Sequence, residues 1–261
     1  MNTSLKNKTA LVGGASAGIG RATAIELAQL GATVIAIART ESKLQELVAE
    51  LPTPEGQQHG YIAADYSDRA ALMEKVNALL QSQDVHILIN NSGGPPGGPI
   101  TQATPEAFES ALQMHLLVNQ QLAQACLPGM EKAGYGRIIN IISTSVKEPI
   151  DGLGVSNTTR WAVASWAKTW ANEVGPKGVT VNNVLPGYTA TDRLVSIIET
   201  RAQKSGKTTQ EIEEQFKNSV PARRFAAPEE VAAAAAFLAS PAAGYISGIN
   251  LPVDGGRTRS M

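Results

Sequence analysis

The chain of 261 residues has one cysteine, Cys126, which excludes an intrachain disulfide framework and fits a reducing compartment. Its expected state is a buried, inert thiol. No stretch approaches the ~20 consecutive apolar residues of a membrane-spanning helix. The amino-terminal segment runs from polar residues straight into a strand pattern, with no apolar leader and cleavage site, so a cytoplasmic location is expected. Charge of either sign is also scarce: 22 basic against 23 acidic residues give a net charge of −1, and no Lys/Arg run offers a footprint for nucleic acid or an anionic membrane. The three histidines, His59, His86 and His115, are far apart in sequence and have no cysteine or carboxylate at ligand spacing, so no metal site is expected. Linkers and low-complexity repeats are missing too, and residues 1–261 read as a single domain.

What is present is a regular alternation. Short apolar runs at 9–12, 32–38, 60–64, 86–90, 137–142, 179–185 and 249–253 are separated by helical patterns, including one near 157–175 and one near 228–239. Strand–helix repetition of this kind means parallel strands joined by crossover helices, and Val/Ile/Leu-rich strands suit burial on both faces. The expected fold is α/β: a doubly wound, seven-stranded parallel sheet of the Rossmann type in three α/β/α layers. Residues 192–222 form one long excursion of two amphipathic helices broken at Ser205–Gly206, either a substrate lid or a packed surface insertion.

After the first strand comes GGASAGIG (13–20) and then a helix. Glycines there allow a tight turn and close backbone approach, while free N–H groups at a helix start attract a pyrophosphate. Gly14, Ser16, Gly18, Ile19 and Gly20 are the candidate contacts. The second strand ends at Arg39. A carboxylate at that place would hold a ribose 2′-hydroxyl, whereas arginine suits a 2′-phosphate, so NADP(H) is favoured over NAD(H); a solvated arginine is the bland alternative. Asp65, after the third strand, either accepts from the adenine amino group or caps the following helix.

Four ordered segments now carry a family resemblance over nearly the whole chain. GGASAGIG resembles TGxxxGxG with Gly13 in place of Thr, and NNSG (90–93) resembles NNAG; LPGYTATD (185–192) and LPVDGG (251–256) are similar to two further signatures of the short-chain dehydrogenase/reductase family. The resemblance implies that Asn90, Asn91 and Gly93 shape the adenosine side of a dinucleotide site. It also implies that Pro186, Gly187, Thr189 and Thr191 contact the nicotinamide and phosphates, and that the chain assembles as a homodimer or homotetramer through the helix carrying Trp161, Trp166 and Trp170.

The family's catalytic tetrad is Asn, Ser, Tyr and Lys, the last two spaced YxxxK. Ser143 matches the serine, but Ser156 and Arg160 stand at the Tyr and Lys positions, and His115 stands where Asn is usual, with Asn119 one turn further on. The chain is similar to a divergent subset of the family with an SNxxR segment. Serine is a far weaker acid than a phenol of pKa about 10. Arginine stays protonated and passes no proton on, yet it can bond ribose hydroxyls or stabilise an alkoxide. Ser156 and Arg160 share one helix face at i and i+4; alternatively Ser156 caps that helix and Arg160 pairs with a carboxylate. Ser156, His115, Lys147, Tyr188 and water are the candidate proton donors. The expected activity is NADP(H)-dependent reduction of a small-molecule carbonyl or oxidation of an alcohol, with Ser143, Ser156 and Arg160 as catalytic residues. A dinucleotide-binding sensor or assembly subunit without turnover is the alternative, and a lyase or dehydratase a third.

Overall fold

The computed structural model describes residues 1–260. In chain order the elements are β1 (Thr9–Gly13), α1 (Gly18–Gln29), β2 (Thr33–Ala38), α2 (Glu41–Glu50), β3 (Gly60–Ala63), α3 (Arg69–Leu80), β4 (Ile87–Asn90), α4 (Pro105–Leu112), α5 (Val118–Lys132), β5 (Gly136–Ile141), α6 (Gly154–Val174), β6 (Val179–Pro186), α7 (Asp192–Ser205), α8 (Thr209–Asn218), α9 (Pro228–Ala239) and β7 (Asn250–Val253). The seven strands form one parallel sheet in the order β3-β2-β1-β4-β5-β6-β7, as the alternation predicted. The strand order reverses between β1 and β4, which opens a crevice at the carboxyl ends of these strands.

The pleat sends alternate strand residues to opposite layers. Ala10, Val12, Val34, Ala36, Ile87, Ile89 and Ile139 pack with Leu27 of α1, Leu44 and Leu47 of α2, and Val231 and Ala235 of α9. Leu11, Ile35, Ile37, Leu88, Ile138 and Val181 pack with Leu72 and Val76 of α3, Val118 and Leu122 of α5, and Ala167 and Ala171 of α6. Cys126 belongs to this second layer, and burial pushes its thiol up to about 12, so it is protonated and inert at neutral pH.

One row of the sheet is polar. Asn90 Nδ2 donates to Asn140 Oδ1, Asn140 Nδ2 to Asn183 Oδ1, and Asn183 Nδ2 to Asn250 Oδ1, each at 2.8 Å. These four residues are directly opposite one another on β4, β5, β6 and β7. A slip of one residue between any two strands turns the amides to opposite faces and breaks the row. Asn90, expected to shape the adenosine side, is buried and donates into this ladder through its Nδ2, while its Oδ1 has no partner among the described residues.

Two local expectations change. The helix expected from about residue 157 begins at Gly154, so Ser156 lies inside its first turn and does not cap it. Helix α3 is capped by Asp68, whose carboxylate accepts from the Ala71 N–H, while Asp65 accepts from the Ser67 N–H in the preceding turn. Trp166 and Trp170 are tilted neighbours with centroids 5.8 Å apart, and both indoles donate to Gln120 Oε1 of α5. The excursion breaks where expected: α7 ends at Gly206, whose φ of +67° is the left-handed conformation suited to glycine. No helix among the described residues is long and apolar enough to cross a membrane.

Replacing Asn140 with alanine orphans the Asn90 amide and the Asn183 carbonyl oxygen inside the sheet. Asn140→Ala is expected to lower unfolding stability by at least about 2 kcal/mol, and Asn250→Ala, at the half-buried end of the row, by less; urea denaturation measures both.

Candidate active site

The turn after β1 is built to let a ligand approach the backbone. Gly14 and Gly18 have φ of +57° and +54°, a region where side chains are strained. A Cβ on Gly20 would lie 2.1 Å from the Gly14 carbonyl oxygen, and one on Gly14 would lie 2.7 Å from Asn91 Nδ2. Ala17, the residue before α1, offers no side-chain cap, so the first N–H groups of α1 keep their hydrogen-bonding capacity for an anion. Gly13 departs from the family's threonine for a visible reason: a Cβ there would meet the Tyr66 hydroxyl at 2.3 Å. That hydroxyl and the Asn91 backbone carbonyl occupy the space a threonine side chain needs.

A cleft of about 460 Å³ runs from this turn along the carboxyl edge of the sheet. Of the residues expected to bind a dinucleotide, Gly14, Gly18, Ile19, Asn91, Gly93, Pro186, Gly187, Thr189 and Thr191 line it, and so do all three expected catalytic residues, Ser143, Ser156 and Arg160. Ser16 and Gly20 do not; Gly20 is buried within α1, where the lack of a side chain lets the helix close on the Gly14 carbonyl. Arg39 and Asp65 lie outside the cleft, at the ends of β2 and β3. Arg39 is largely exposed and 4.0 Å from the Asp65 carboxylate, whose pKa is held down chiefly by the bond from the Ser67 N–H, with Arg39 contributing. Glycines without room for a side chain, uncapped N–H groups and a long cleft fit a dinucleotide: Gly14, Gly18 and Ile19 would hold its pyrophosphate, with Thr191 packed against Gly18.

Arg160 is 8% exposed. Its Nη1 donates to the Ile141 carbonyl at 3.4 Å, and among the described residues it forms no ion pair, so the expected alternative of a carboxylate partner does not hold. Burial draws its pKa down to about 10, with repulsion from Arg193 adding to the effect; it still carries its charge at neutral pH. Ser143 Oγ accepts from the Ser145 N–H at 3.0 Å, which leaves its own proton free to donate.

The other proton-donor candidates fare unequally. His115 sits in a π turn, Gln113–Leu117, between α4 and α5, an irregularity frequent at functional sites. Its Nδ1 is 2.9 Å from the Ser92 hydroxyl. Burial, reinforced by the nearby Arg160 charge, pushes its pKa down to about 3, so the ring is neutral and does not serve as an imidazolium acid. Lys147 does not line the cleft. Tyr188 lines the cleft but is stacked on Phe216 of α8 at 4.4 Å, with the Arg257 guanidinium 4.6 Å from its ring. Asn119 is buried in α5 outside the cleft.

Ser92, Gly94, Arg193, Leu194 and Ile197 also line the cleft, although none was among the expected site residues. Ser92 and Gly94 flank Gly93 in sequence, a signal that was available. Arg193, Leu194 and Ile197 lie in the 192–222 excursion, for which a substrate lid is one of the two expected readings, but nothing in the sequence singles out Arg193 within it. A second, mainly apolar cavity of about 550 Å³ adjoins the cleft at Gly94 and is lined by the 94–99 loop, Met114, His115 and Val155.

Comparison with known proteins gives consistent results. Residues 14–258 match the family model described as Enoyl-(Acyl carrier protein) reductase. The chain is 35% identical to the uncharacterized oxidoreductase YvrD of Bacillus subtilis over the full length of both. It is 30% identical to the NADPH-dependent reductase BacG of the same organism, over 98% of this chain and 100% of that one. Among solved structures, L-sorbose reductase from Gluconobacter frateurii complexed with NADPH and L-sorbose superposes with a TM-score of 0.93 at 28% identity, covering all of both chains.

The low pKa of His115 has a consequence for acid stability. In an unfolded chain the ring titrates near 6.5, and in the fold near 3. The neutral ring's contribution is therefore whole above about pH 6.5 and declines as pH falls toward about 3. Between pH 7 and pH 5 the wild type is expected to lose about 2 kcal/mol more stability than His115→Asn, measured by urea denaturation at both pH values.

Proposed function

Since the chain belongs to the short-chain dehydrogenase/reductase family, we propose that it is an NADP(H)-dependent oxidoreductase that reduces a carbonyl or oxidises an alcohol without a tyrosine acid. The observation that carries this reading is the convergence, in one cleft, of the glycine turn, the 186–191 loop and the Ser143, Ser156 and Arg160 side chains. NADPH-dependent reduction by BacG and the NADPH-bound state of L-sorbose reductase support the choice of cofactor. Arg39, exposed at the end of β2, would grip the 2′-phosphate.

When bound, the nicotinamide supplies a hydride to the carbonyl carbon or accepts one from the alcohol carbon. In reduction, the carbonyl π pair moves onto oxygen, and the chain's part is to hold and neutralise that oxygen. The hydroxyls of Ser143 and Ser156 donate to it, and the buried Arg160 guanidinium stabilises its charge in a site of low dielectric. Arg160 does not give up its proton at neutral pH, so water delivers the final proton to the alkoxide along the Ser156 side of the cleft. In oxidation the same steps run in reverse. Helices α7 and α8 act as a lid, with Leu194 and Ile197 facing the cleft and Tyr188 stacked beneath α8.

The test is NADPH consumption by purified protein with a panel of diketones, quinones and β-ketoacyl thioesters. Turnover is expected, and Arg160→Ala should lower kcat/KM about 10²–10³-fold; tight NADPH binding with no turnover on any compound would overturn the reading in favour of a sensor. Arg39→Asp should reduce the NADPH-over-NADH preference at least about tenfold. An unchanged preference would show that Arg39 does not contact the phosphate.

A further inference from the structure

We infer that Arg160 and Arg193 together form an anion slot that selects substrates with a carboxylate next to the reacting carbonyl, an inference that rests on the oxidoreductase reading of this cleft. A Cβ placed on Gly94 would lie 3.6 Å from Arg193 Nη2 and 3.8 Å from Arg160 Nη2. Both guanidinium tips therefore flank one point on the cleft wall, which glycine leaves open. The fold enforces this approach. Arg193 Nη2 donates to the Pro95 carbonyl at 2.8 Å, which ties the start of α7 to the 94–99 loop. Gly98 in turn exchanges backbone bonds with Gly152 and Gly154 at the start of α6, one helix turn and a half before Arg160.

Arg193 is exposed and Arg160 buried, and two like charges brought together on a cleft wall repel unless an anion lies between them. Neither arginine forms an ion pair among the described residues, and Asp192, the one carboxylate lining the cleft, pairs with neither. Planar guanidinium forks match the two oxygens of a carboxylate. The position assigns the anion to the substrate rather than to the cofactor. The phosphate turn at Gly18 faces Thr191, whereas Gly94 stands where the cleft meets the second, apolar cavity. A small oxo acid with an apolar substituent satisfies all three features: its carbonyl meets Ser143 and Ser156, its carboxylate the two arginines, and its tail the apolar cavity.

The test pairs turnover with binding. With NADPH, 4-methyl-2-oxopentanoate is expected to show a kcat/KM at least about tenfold above that of its methyl ester, and Arg193→Gln to abolish the difference. In calorimetry, the non-reducible 4-methylpentanoate is expected to bind the protein–NADP⁺ complex, and Arg193→Gln to weaken that binding at least about tenfold with a far smaller change in NADP⁺ affinity. Carboxylate binding lost in Arg193→Gln without turnover of either compound supports the slot and counts against the oxidoreductase reading. Equal treatment of acid and ester, no carboxylate binding, or loss of NADP⁺ affinity in Arg193→Gln overturns the slot, the last by placing the arginine on the cofactor's pyrophosphate.

Discussion

The asparagine row across β4, β5, β6 and β7 is the constraint on which the cleft depends. Its amides fix the register of four strands at one level, and the loops that build the cleft leave the sheet just above it. Asn91 follows Asn90 directly, Ser143 comes three residues after Asn140, and Pro186 three residues after Asn183. In a parallel sheet every strand ends at the same edge, so a fixed register places those loop residues at a common height. Buried amides of this kind are costly when unpaired and specific when paired, which ties the site's geometry to the polar interior of the sheet rather than to loop sequence alone.

Above that frame, the proposed site has a fixed charge where the family resemblance leads one to expect a titratable pair. Tyrosine and lysine can each lose a proton within a modest range of pH, whereas Arg160, even with its pKa drawn down to about 10, holds its proton throughout the physiological range. On the proposed reading, chemistry in this cleft is electrostatic first, with proton delivery left to water and hydroxyls. The neutral His115 next to Ser92 is consistent with this, since a cationic imidazole would add a further charge beside Arg160. A buried cation without a counter-ion within the protein is unfavourable by itself, and it turns the pocket toward oxygens that bear or develop negative charge.

Periodicity made the sheet and its helices legible in the sequence. Each apolar run became a strand within about two residues, and Gly206 marked the break between α7 and α8. The glycine turn was legible because it needs particular backbone conformations, and the PG loop only through the family resemblance. What stayed hidden depended on distance in space. The Asn90 amide looked like a ligand contact until its cross-strand partners were known, and the role of Gly13 depended on Tyr66, more than fifty residues away. Arg193 sits in an amphipathic helix that gives no hint of which cleft it overhangs, and the starting point of α6, three residues earlier than expected, decides that Ser156 faces the cleft instead of capping the helix.

The most direct test of the central claim is a crystal structure of the protein with NADP⁺. The account predicts the pyrophosphate on the Gly14–Gly18 turn beside Thr191, and the nicotinamide ring opening onto Ser143, Ser156 and the Arg160 guanidinium. A dinucleotide bound elsewhere, or an Arg160 side chain turned away from the ring toward a carboxylate of the protein, would contradict it.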